Sequence, residues 1–436
     1  MKTDIAIIGG GLTGMMMARA LSLTGADICL VDRSSNQLAD TQSPDERTTT
    51  IHAAGMRMLR TLGIGDQLRQ TATPIMRIAV AEGAPLTGLA ARRRPNSDLT
   101  WQAADEPMAY VVGNADLQAA LSSILSSVLS SNPAASGASR QNIAADRNDA
   151  VHVMKGASLA RMSRAAGRMI LDIDTGKGMT SRLGAKLVVA CDGAGSPAAR
   201  LADLPARAER KFQTAIVSVL RIERPHDNTA FQRFLPGGPF ALMPMTGQRL
   251  SLVWTLPETQ ADMLMAADAP AFEAACLEAF GQSLGYLHLD GARLAWPLRP
   301  SVRKRIAAPG IVLAGDAAHA IHPIAGQGYN LALGDAAVLA DCLALALGRG
   351  LTPDHPSVWQ EYEAGRRAER LAMSAATSGI NQLFARSPTM VRRMAGAGFA
   401  MLDRSSLKDL FSDVASGGKL ASAALLEGRY PGTAPE

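Results

Sequence analysis

Three short runs hold the residues whose types and spacing could do chemistry. Gly9, Gly11 and Gly14 stand at G-x-G-x-x-G spacing directly after an apolar stretch, Asp4 to Ile8, and Asp32 ends a second such stretch, Asp27 to Val31. In that setting Gly9 makes the tight turn and Gly11 lets the backbone reach a pyrophosphate. Gly14 lets the following helix pack closely, and Asp32 accepts hydrogen bonds from ribose hydroxyls. A carboxylate at that position repels a 2′-phosphate, so the dinucleotide expected is FAD or NAD, not NADP. The second run, Cys191-Asp192-Gly193 followed by Ser196 and Arg200, closes the apolar stretch Lys186 to Ala190 and has a phosphate-facing composition; a plain Asp-Gly turn is the alternative. In the third run, Ile311 to Ala314 leads into Gly315 and Asp316, and Pro323 and Gly326-Gln327-Gly328 precede an apolar helix that starts near Tyr329. A carboxylate just beyond a strand end can accept hydrogen bonds from polyol hydroxyls, and the first amides of the helix favour an anion. An ordinary strand, glycine loop and helix is the competing reading.

Chemistry at strand tips requires an open parallel α/β sheet, because such sheets bind ligands beyond the carboxyl ends of their strands. The pattern supplies the elements: strands Asp4 to Ile8, Asp27 to Val31, Lys186 to Ala190 and Ile311 to Ala314, with helices Met15 to Leu23 and Tyr329 to Leu347. Between them the spacing predicts a helix over Thr48 to Leu62, a short apolar run at Ile75 to Val80, and Tyr110 to Val112 followed by an amphipathic helix, Ala115 to Leu129. Arg47 just before the first of these reads either as a surface charge or as a phosphate or flavin contact. Residues 130–150 are small and polar and read as a surface loop. Val151 to Met154, Ser158 to Met162 and Met169 to Asp174 read as a meander. From Phe212 to Trp296 the alternation is of antiparallel type, over Thr214 to Ile222, Phe231 to Phe234, Phe240 to Met243 and Arg249 to Thr255, and is interrupted by a helix, Ala269 to Phe280. Met243, Met245, Met263 and Met265 read first as core filling and second as the wall of an apolar pocket. Past Trp359 the chain is helical, with Met390, Met394, Ala397 and Met401 on one face and Arg392 and Arg393 on another. That face either packs on the protein or touches a membrane.

The 436 residues are 47% apolar and 19% charged, ordinary for a globular enzyme of two or three domains. The net charge of +5 comes from scattered clusters such as Arg92-Arg93-Arg94 and Arg303-Lys304-Arg305, not from one basic tract. Only 4% of residues are aromatic, which argues against base-stacking platforms and nucleic-acid binding. Cys29, Cys191, Cys276 and Cys342 form no C-x-x-C pair, so reduced thiols are expected rather than a zinc site or a disulfide framework. His319 and His322 lie beside Asp316 without a third ligand at suitable spacing and are expected to shape the loop. The first residues lack a secretory pattern, and Asp335 and Asp341 interrupt the longest apolar helix, so an intracellular protein without a spanning helix is expected.

The three runs in this order, GGGLTG with Asp32, CDGAGSPAAR and GDAAHAIHPIAGQGYNLALGDA, resemble the class A flavoprotein aromatic hydroxylases. HPIAGQGYN, PFALMPMTGQRLSLVWT and DERTTTIHAAGMRML are most similar to the ubiquinone-biosynthesis hydroxylases among them, a resemblance extending from residue 2 to about 400. Two positions depart from that group's N-L-G-L-R-D ending: Ala332 stands for its glycine and Gly334 for its arginine.

The resemblance implies an α/β fold with a Rossmann-like, glutathione-reductase-like FAD-binding domain, an inserted antiparallel β-sheet substrate domain and a C-terminal helical region. The segments expected are 1–72, 108–200 and 298–358 for the first, 73–107 and 201–297 for the second, and 359–436 for the third. It puts Gly9, Gly11, Gly14 and Asp32 on the ADP half of FAD, and Arg47 and Asn114 on the pyrophosphate and ribityl side. Asp316 would bind the ribityl chain, with Gly326, Gln327, Gly328, Tyr329 and Asn330 around the isoalloxazine. Asp192 and Gly193 belong to a motif used for FAD and for passing contact with NAD(P)H. With only one G-x-G-x-x-G, NAD(P)H or another donor would bind transiently. The reaction implied is hydroxylation of the aromatic ring of a polyprenylphenol by O2 through a flavin C4a-hydroperoxide. The cofactor does the hard chemistry, so no side chain is nominated as catalytic. Partners implied are other ubiquinone-biosynthesis proteins and a peripheral membrane contact, and the location implied is cytoplasmic or at the face of the inner membrane. A different FAD-dependent oxidoreductase, such as a polyprenyl reductase, and a non-catalytic flavoprotein subunit are the alternatives.

Overall fold

The apolar runs that end at Ile8, Val31, Ala190 and Leu313 lie side by side. In the computed structural model, which describes residues 1–34, 46–83, 99–130, 151–176, 178–208, 213–322, 328–386 and 423–433, Lys2–Ile8 pairs in parallel with Thr180–Ala190 on one side and with Ile28–Val31 on the other. Ile311–Leu313 extends the sheet parallel to Thr180–Ala190. Val, Ile and Leu fill these strands without alternation because both faces are buried in one core, and Ile28–Val31 is buried at every position. The register matters most: Ile8 is opposite Val31 and Ala190, and Ala190 is opposite Leu313.

Two expectations about this region change. Thr48 to Leu62 is not one helix, since Thr48–His52 is a strand paired with Ala109–Gly113 and only Ala53–Thr61 is helical. Thr48, Thr49, Thr50 and Ile51 are all β-branched and favour the extended backbone. His52 then starts the helix as its cap, its Nδ1 accepting from the Gly55 amide at 2.8 Å. Val151–Met154 does not belong to a meander, because it joins the parallel sheet beside Ile28–Val31. Only Ser158–Ala165, Arg168–Asp174 and Thr180–Ala190 pair in antiparallel succession.

A second sheet takes its strands from distant parts of the chain: Gln213–Ile222, Arg249–Pro257, Gly238–Met245 and Thr229–Leu235 lie in that order, followed by Arg77–Glu82 and Leu99–Gln102. Leu287–Leu289 and Leu294–Leu298 flank Gln213–Ile222. Its two faces differ in side-chain size, as strand alternation allows. Ile216, Phe240, Leu242, Leu252 and Trp254 pack on Phe272, Cys276 and Phe280 of the helix Ala269–Phe280. The opposite face carries Ala215, Val217, Ala241, Ser251 and Val253. Thr73–Ile75 pairs instead with Ala109–Gly113, in a small sheet with Thr48–His52.

Gly328–Gly348 is long and apolar enough to cross a bilayer, yet most of its residues are buried among the other elements. The helix Pro356–Arg386 packs on it with an unusual inner stripe: Tyr362, Arg366, Arg370, Thr377 and Asn381 are all buried. Each finds a partner. Tyr362 donates to the Leu313 carbonyl at 2.7 Å, Arg370 to the Arg303 carbonyl at 2.7 Å, Thr377 to the Met373 carbonyl of its own helix at 2.8 Å, and Asn381 to the Gln213 side chain at 2.9 Å. One helix therefore stitches the parallel sheet to the second sheet through polar contacts. The chain end is not a continuation of it: Ala424–Glu427 is a short 3-10 turn, with Leu425 and Leu426 buried and the Ala424 and Gly432 amides donating to Asp341. Met390, Arg392, Arg393, Met394, Ala397 and Met401, the loop from 131 to 150 and Arg92 to Arg94 lie outside the described residues.

Candidate functional site

Because Ile8, Val31, Ala190 and Leu313 share one register, Gly9, Asp32, Asp192 and Asp316 all leave the sheet at one edge. The glycines there are not equivalent. A Cβ on Gly14 would lie 1.8 Å from the Gly9 carbonyl oxygen, and one on Gly9, whose φ is +107°, would lie 2.5 Å from the Cys191 carbonyl oxygen. Both are required by the fold itself. A Cβ on Gly11 would meet nothing within 4 Å. Gly11 caps the helix Leu12–Ser22 and has no side chain to occupy its first amides, which leaves the helix start available to an anion. Asp32 sits beside this loop, near enough that a Cβ on Gly10 would lie 2.3 Å from its Cγ. Its Oδ1 accepts from the Ser34 amide at 3.1 Å. The edge thus has the shape of a dinucleotide cradle, with required glycines behind and an open one in front.

Asp192 is largely spent on local structure. Its Oδ2 accepts from the Ala198 amide at 3.0 Å, while Ser196 Oγ accepts from Ala199 at 2.9 Å, which together start the short helix Pro197–Leu201. Gly193 has φ +85° and open space around its Cα. Asp316 begins the single turn Asp316–His319 and is exposed at the edge, while the protein around its base pushes its carboxyl pKa up against the opposing pull of His319.

Behind Asp316 lies a buried charge network. Asp335 Oδ2 accepts from the Gly315 amide at 2.8 Å and meets His319 Nε2 at 2.7 Å, and its Oδ1 accepts from Arg366 Nε at 2.7 Å. Arg366 also donates to the Leu331 carbonyl at 3.0 Å and pairs with Glu369. Burial alone would raise the Asp335 pKa, but His319, Arg366 and the Gly315 amide outweigh it and hold it at about 2. Arg303 donates to the Ala317 carbonyl at 2.6 Å and to that of Leu204, which fixes the same turn from below. His319 therefore shapes the loop.

Gly328 and Tyr329 begin the helix Gly328–Gly348, Gly328 with open space at its Cα. The Tyr329 hydroxyl is buried without a hydrogen-bond partner among the described residues, and burial pushes its pKa up. Asn330, expected near the isoalloxazine, follows on the same helix, with its side chain on the neighbouring strand. Its Oδ1 accepts from the His52 amide at 3.1 Å and its Nδ2 donates to the Thr50 carbonyl at 3.0 Å, so it ties this helix to the strand Thr48–His52. Gly326 and Gln327 lie outside the described residues.

That strand forms one wall of a cavity of about 190 Å³. Arg47, Thr48, Thr50 and Asn114 line it from this side, and Ala215, Val217, Ala241, Met243, Ser251 and Val253 from the small-residue face of the second sheet. Trp296 and Leu298 close an end, with the Arg47 guanidinium 5.3 Å from the Trp296 ring centroid. Arg47 and Asn114, 67 positions apart, are joined directly: the Asn114 amide donates to the Arg47 carbonyl at 2.9 Å, and Thr49 Oγ1 donates to Asn114 Oδ1 at 2.6 Å. Of the methionines read as core or pocket, Met243 lines the cavity and Met263 is 73% exposed. Sequence reasoning missed Thr48, Thr50, Ser251 and the small wall residues. Their only signal was the alternation of small with bulky side chains along three strands.

A family model described as an FAD binding domain matches residues 2–374. Among curated proteins, ubiquinone hydroxylase UbiL of Rhodospirillum rubrum is 35% identical over 417 residues, covering 95% of this chain and 89% of that protein. The 3-demethoxyubiquinol 3-hydroxylase of Escherichia coli is 28% identical over 411 residues, covering 93% and 96%. The human mitochondrial ubiquinone biosynthesis monooxygenase COQ6 is 27% identical over 435 residues, covering 88% and 86%. Among solved structures, p-nitrophenol 4-monooxygenase PnpA of Pseudomonas putida superposes with a TM-score of 0.72 at 15% identity, covering 96% of this chain and 99% of that one, which shows a shared fold.

Proposed function

The chain belongs to the FAD binding domain family, among the ubiquinone-biosynthesis hydroxylases, and on that premise we propose that it hydroxylates the aromatic ring of a polyprenylphenol on the way to ubiquinone. It is an FAD-dependent monooxygenase. FAD, when bound, supplies electron transfer and the activation of O2, after reduction by NAD(P)H or another transient donor.

The protein's own part is placement. The open amides beside Gly11 would hold the pyrophosphate, and Asp32 the adenosine ribose. Asp316 would accept from the ribityl hydroxyls, and the first amides of Gly328–Gly348 would stabilise negative charge on the flavin ring system. The walled cavity would keep the substrate ring out of water while presenting it to the cofactor. An apolar tail on the substrate supports a cytoplasmic protein that works at the inner-membrane face, alongside other proteins of the pathway.

The observation that carries this reading is the common register of Ile8, Val31, Ala190 and Leu313, which gathers three separate motifs at one edge next to an apolar cavity. The test is purification followed by assay. Yellow protein containing FAD, with NAD(P)H oxidation stimulated by a polyprenylphenol and labelled O2 incorporated into the product, is expected. Colourless protein that takes up no FAD would overturn the reading. NAD(P)H oxidation without oxygen incorporation would replace it with a reductase.

A further inference from the structure

Thr48 Oγ1 lies 2.8 Å from Ser251 Oγ. The two belong to different sheets, Thr48 to the strand Thr48–His52 tied down by Asn330 and Ser251 to the second sheet, and they are 203 positions apart. Both line the cavity, and Ser251 is 1% exposed. Two hydroxyls carry two protons, and the bond between them uses one. Neither oxygen has another hydrogen-bond partner among the described residues. One O–H is therefore left without an acceptor among the described residues, at a cavity whose other sheet-side walls are Ala215, Val217, Ala241, Met243 and Val253.

A buried donor left without an acceptor is costly, and native proteins seldom carry one without a use for it. The sheet-side walls beside Ser251 offer only carbon and sulfur, and neither Thr50 nor Asn114 across the cavity bonds the pair, so the pair is free to take an acceptor brought by a ligand. We propose that the Thr48–Ser251 hydroxyl pair is the subsite for the ring oxygen of the aromatic substrate, and that it selects and orients that ring. The proposal rests on the cavity being the substrate site, as read above. With its oxygen held at the joint between the two sheets, the ring lies on the small side chains Ala215, Ala241 and Val253. The apolar tail leaves past Trp296, which lines the cavity and is itself 57% exposed. Holding the oxygen fixes which ring carbon faces the cofactor. The pair therefore governs the position of hydroxylation as well as affinity.

The test uses the FAD-loaded protein, a polyprenylphenol with a shortened tail, and the same compound lacking the ring oxygen, with binding followed by the change in flavin absorbance. A site built to bond a hydroxyl rejects the analogue without it, so the wild type should prefer the phenol by on the order of tenfold or more. In Ser251→Ala that ratio should fall to near one while the affinity for the deoxy compound stays the same. Peroxide released per NAD(P)H consumed should rise, and hydroxylation should spread over more ring positions. Ser251→Thr, which restores the hydroxyl, should recover the preference, and Thr48→Val should lower it independently if Ser251→Ala fails to fold. A wild type that binds and hydroxylates the phenol, with the full preference kept in both Ser251→Ala and Thr48→Val, overturns the anchor alone. A wild type that binds neither compound overturns the anchor and the functional reading together.

Discussion

A Cβ on Gly334 would lie 2.6 Å from Nη1 of Arg366. The guanidinium of Arg366, arriving from the helix Pro356–Arg386, occupies the space that any side chain at 334 would need. Arg366 cannot swing away cheaply, because Asp335, Glu369 and the Leu331 carbonyl hold it.

Gly334→Ala should therefore destabilise the protein although it removes a glycine from a helix interior. The helix gains up to about 1 kcal/mol from alanine, whereas overpacking against a pinned, buried group costs about 1–3 kcal/mol. A lower midpoint in thermal and urea unfolding is expected. A higher one would mean that Arg366 is free to move.

Gly11 and Gly14 should separate cofactor binding from folding. Gly11→Val meets open space at an ordinary φ of −69°, so it should cost no more than about 1 kcal/mol, from a poorer cap, while its side chain enters the pyrophosphate space. The variant should fold and purify without yellow colour. Gly14→Ala places carbon 1.8 Å from the Gly9 carbonyl oxygen and should lose stability outright. Full FAD content in Gly11→Val would show that the pyrophosphate lies elsewhere.

Acid should weaken the fold in two stages. His52 is buried and neutral, its pKa lowered from 6.5 to about 4 mainly by desolvation, so the unfolded chain takes up the proton first and stability drains as pH falls from about 6.5 to 4. Asp335 is held at about 2 against an ordinary 3.8, so its stabilisation is complete above about pH 4 and is lost as pH falls toward 2, on the order of 2 kcal/mol. Asp335→Asn should abolish the lower stage. At neutral pH it should cost less than the roughly 3–5 kcal/mol of a fully unpaired buried charge, because Glu369 still pairs with Arg366. Urea midpoints measured from pH 7 to 2 would reveal both stages.

Asn330→Ala should act on the cavity more than on the dinucleotide cradle. It leaves the His52 amide and the Thr50 carbonyl without their partner, each worth roughly 1–3 kcal/mol when buried, and frees the strand that carries Thr48 and Thr50. Substrate affinity should fall well before FAD content does. Equal losses of both would place the Asn330 side chain against the flavin after all.

What could be read along the chain was whatever is settled within a few residues. Glycine spacing dictates a turn, a run of Val, Ile and Leu dictates a buried strand, and an acid after such a run dictates a carboxylate at a strand tip. That is why Gly9, Asp32, Asp192 and Asp316 were all placed at strand ends, and why Ala269–Phe280 was bounded correctly. The helix placed over Thr48 to Leu62 went wrong because apolar spacing outweighed the β-branched residues at its start.

Local backbone geometry was enough for the parallel strands, the cradle glycines and a dinucleotide of the FAD or NAD kind, and the choice of FAD came from the resemblance of the three motifs. Only the tertiary structure decided which remote surfaces meet. Asp335 and Asp341 looked like mere interruptions of an apolar helix, and one proves to anchor Arg366 while the other clamps the chain end. Nothing local told that Thr48 and Ser251 meet. A hydrogen bond is short-ranged and indifferent to sequence separation, so its meaning appears only when folding brings the second partner to about 3 Å.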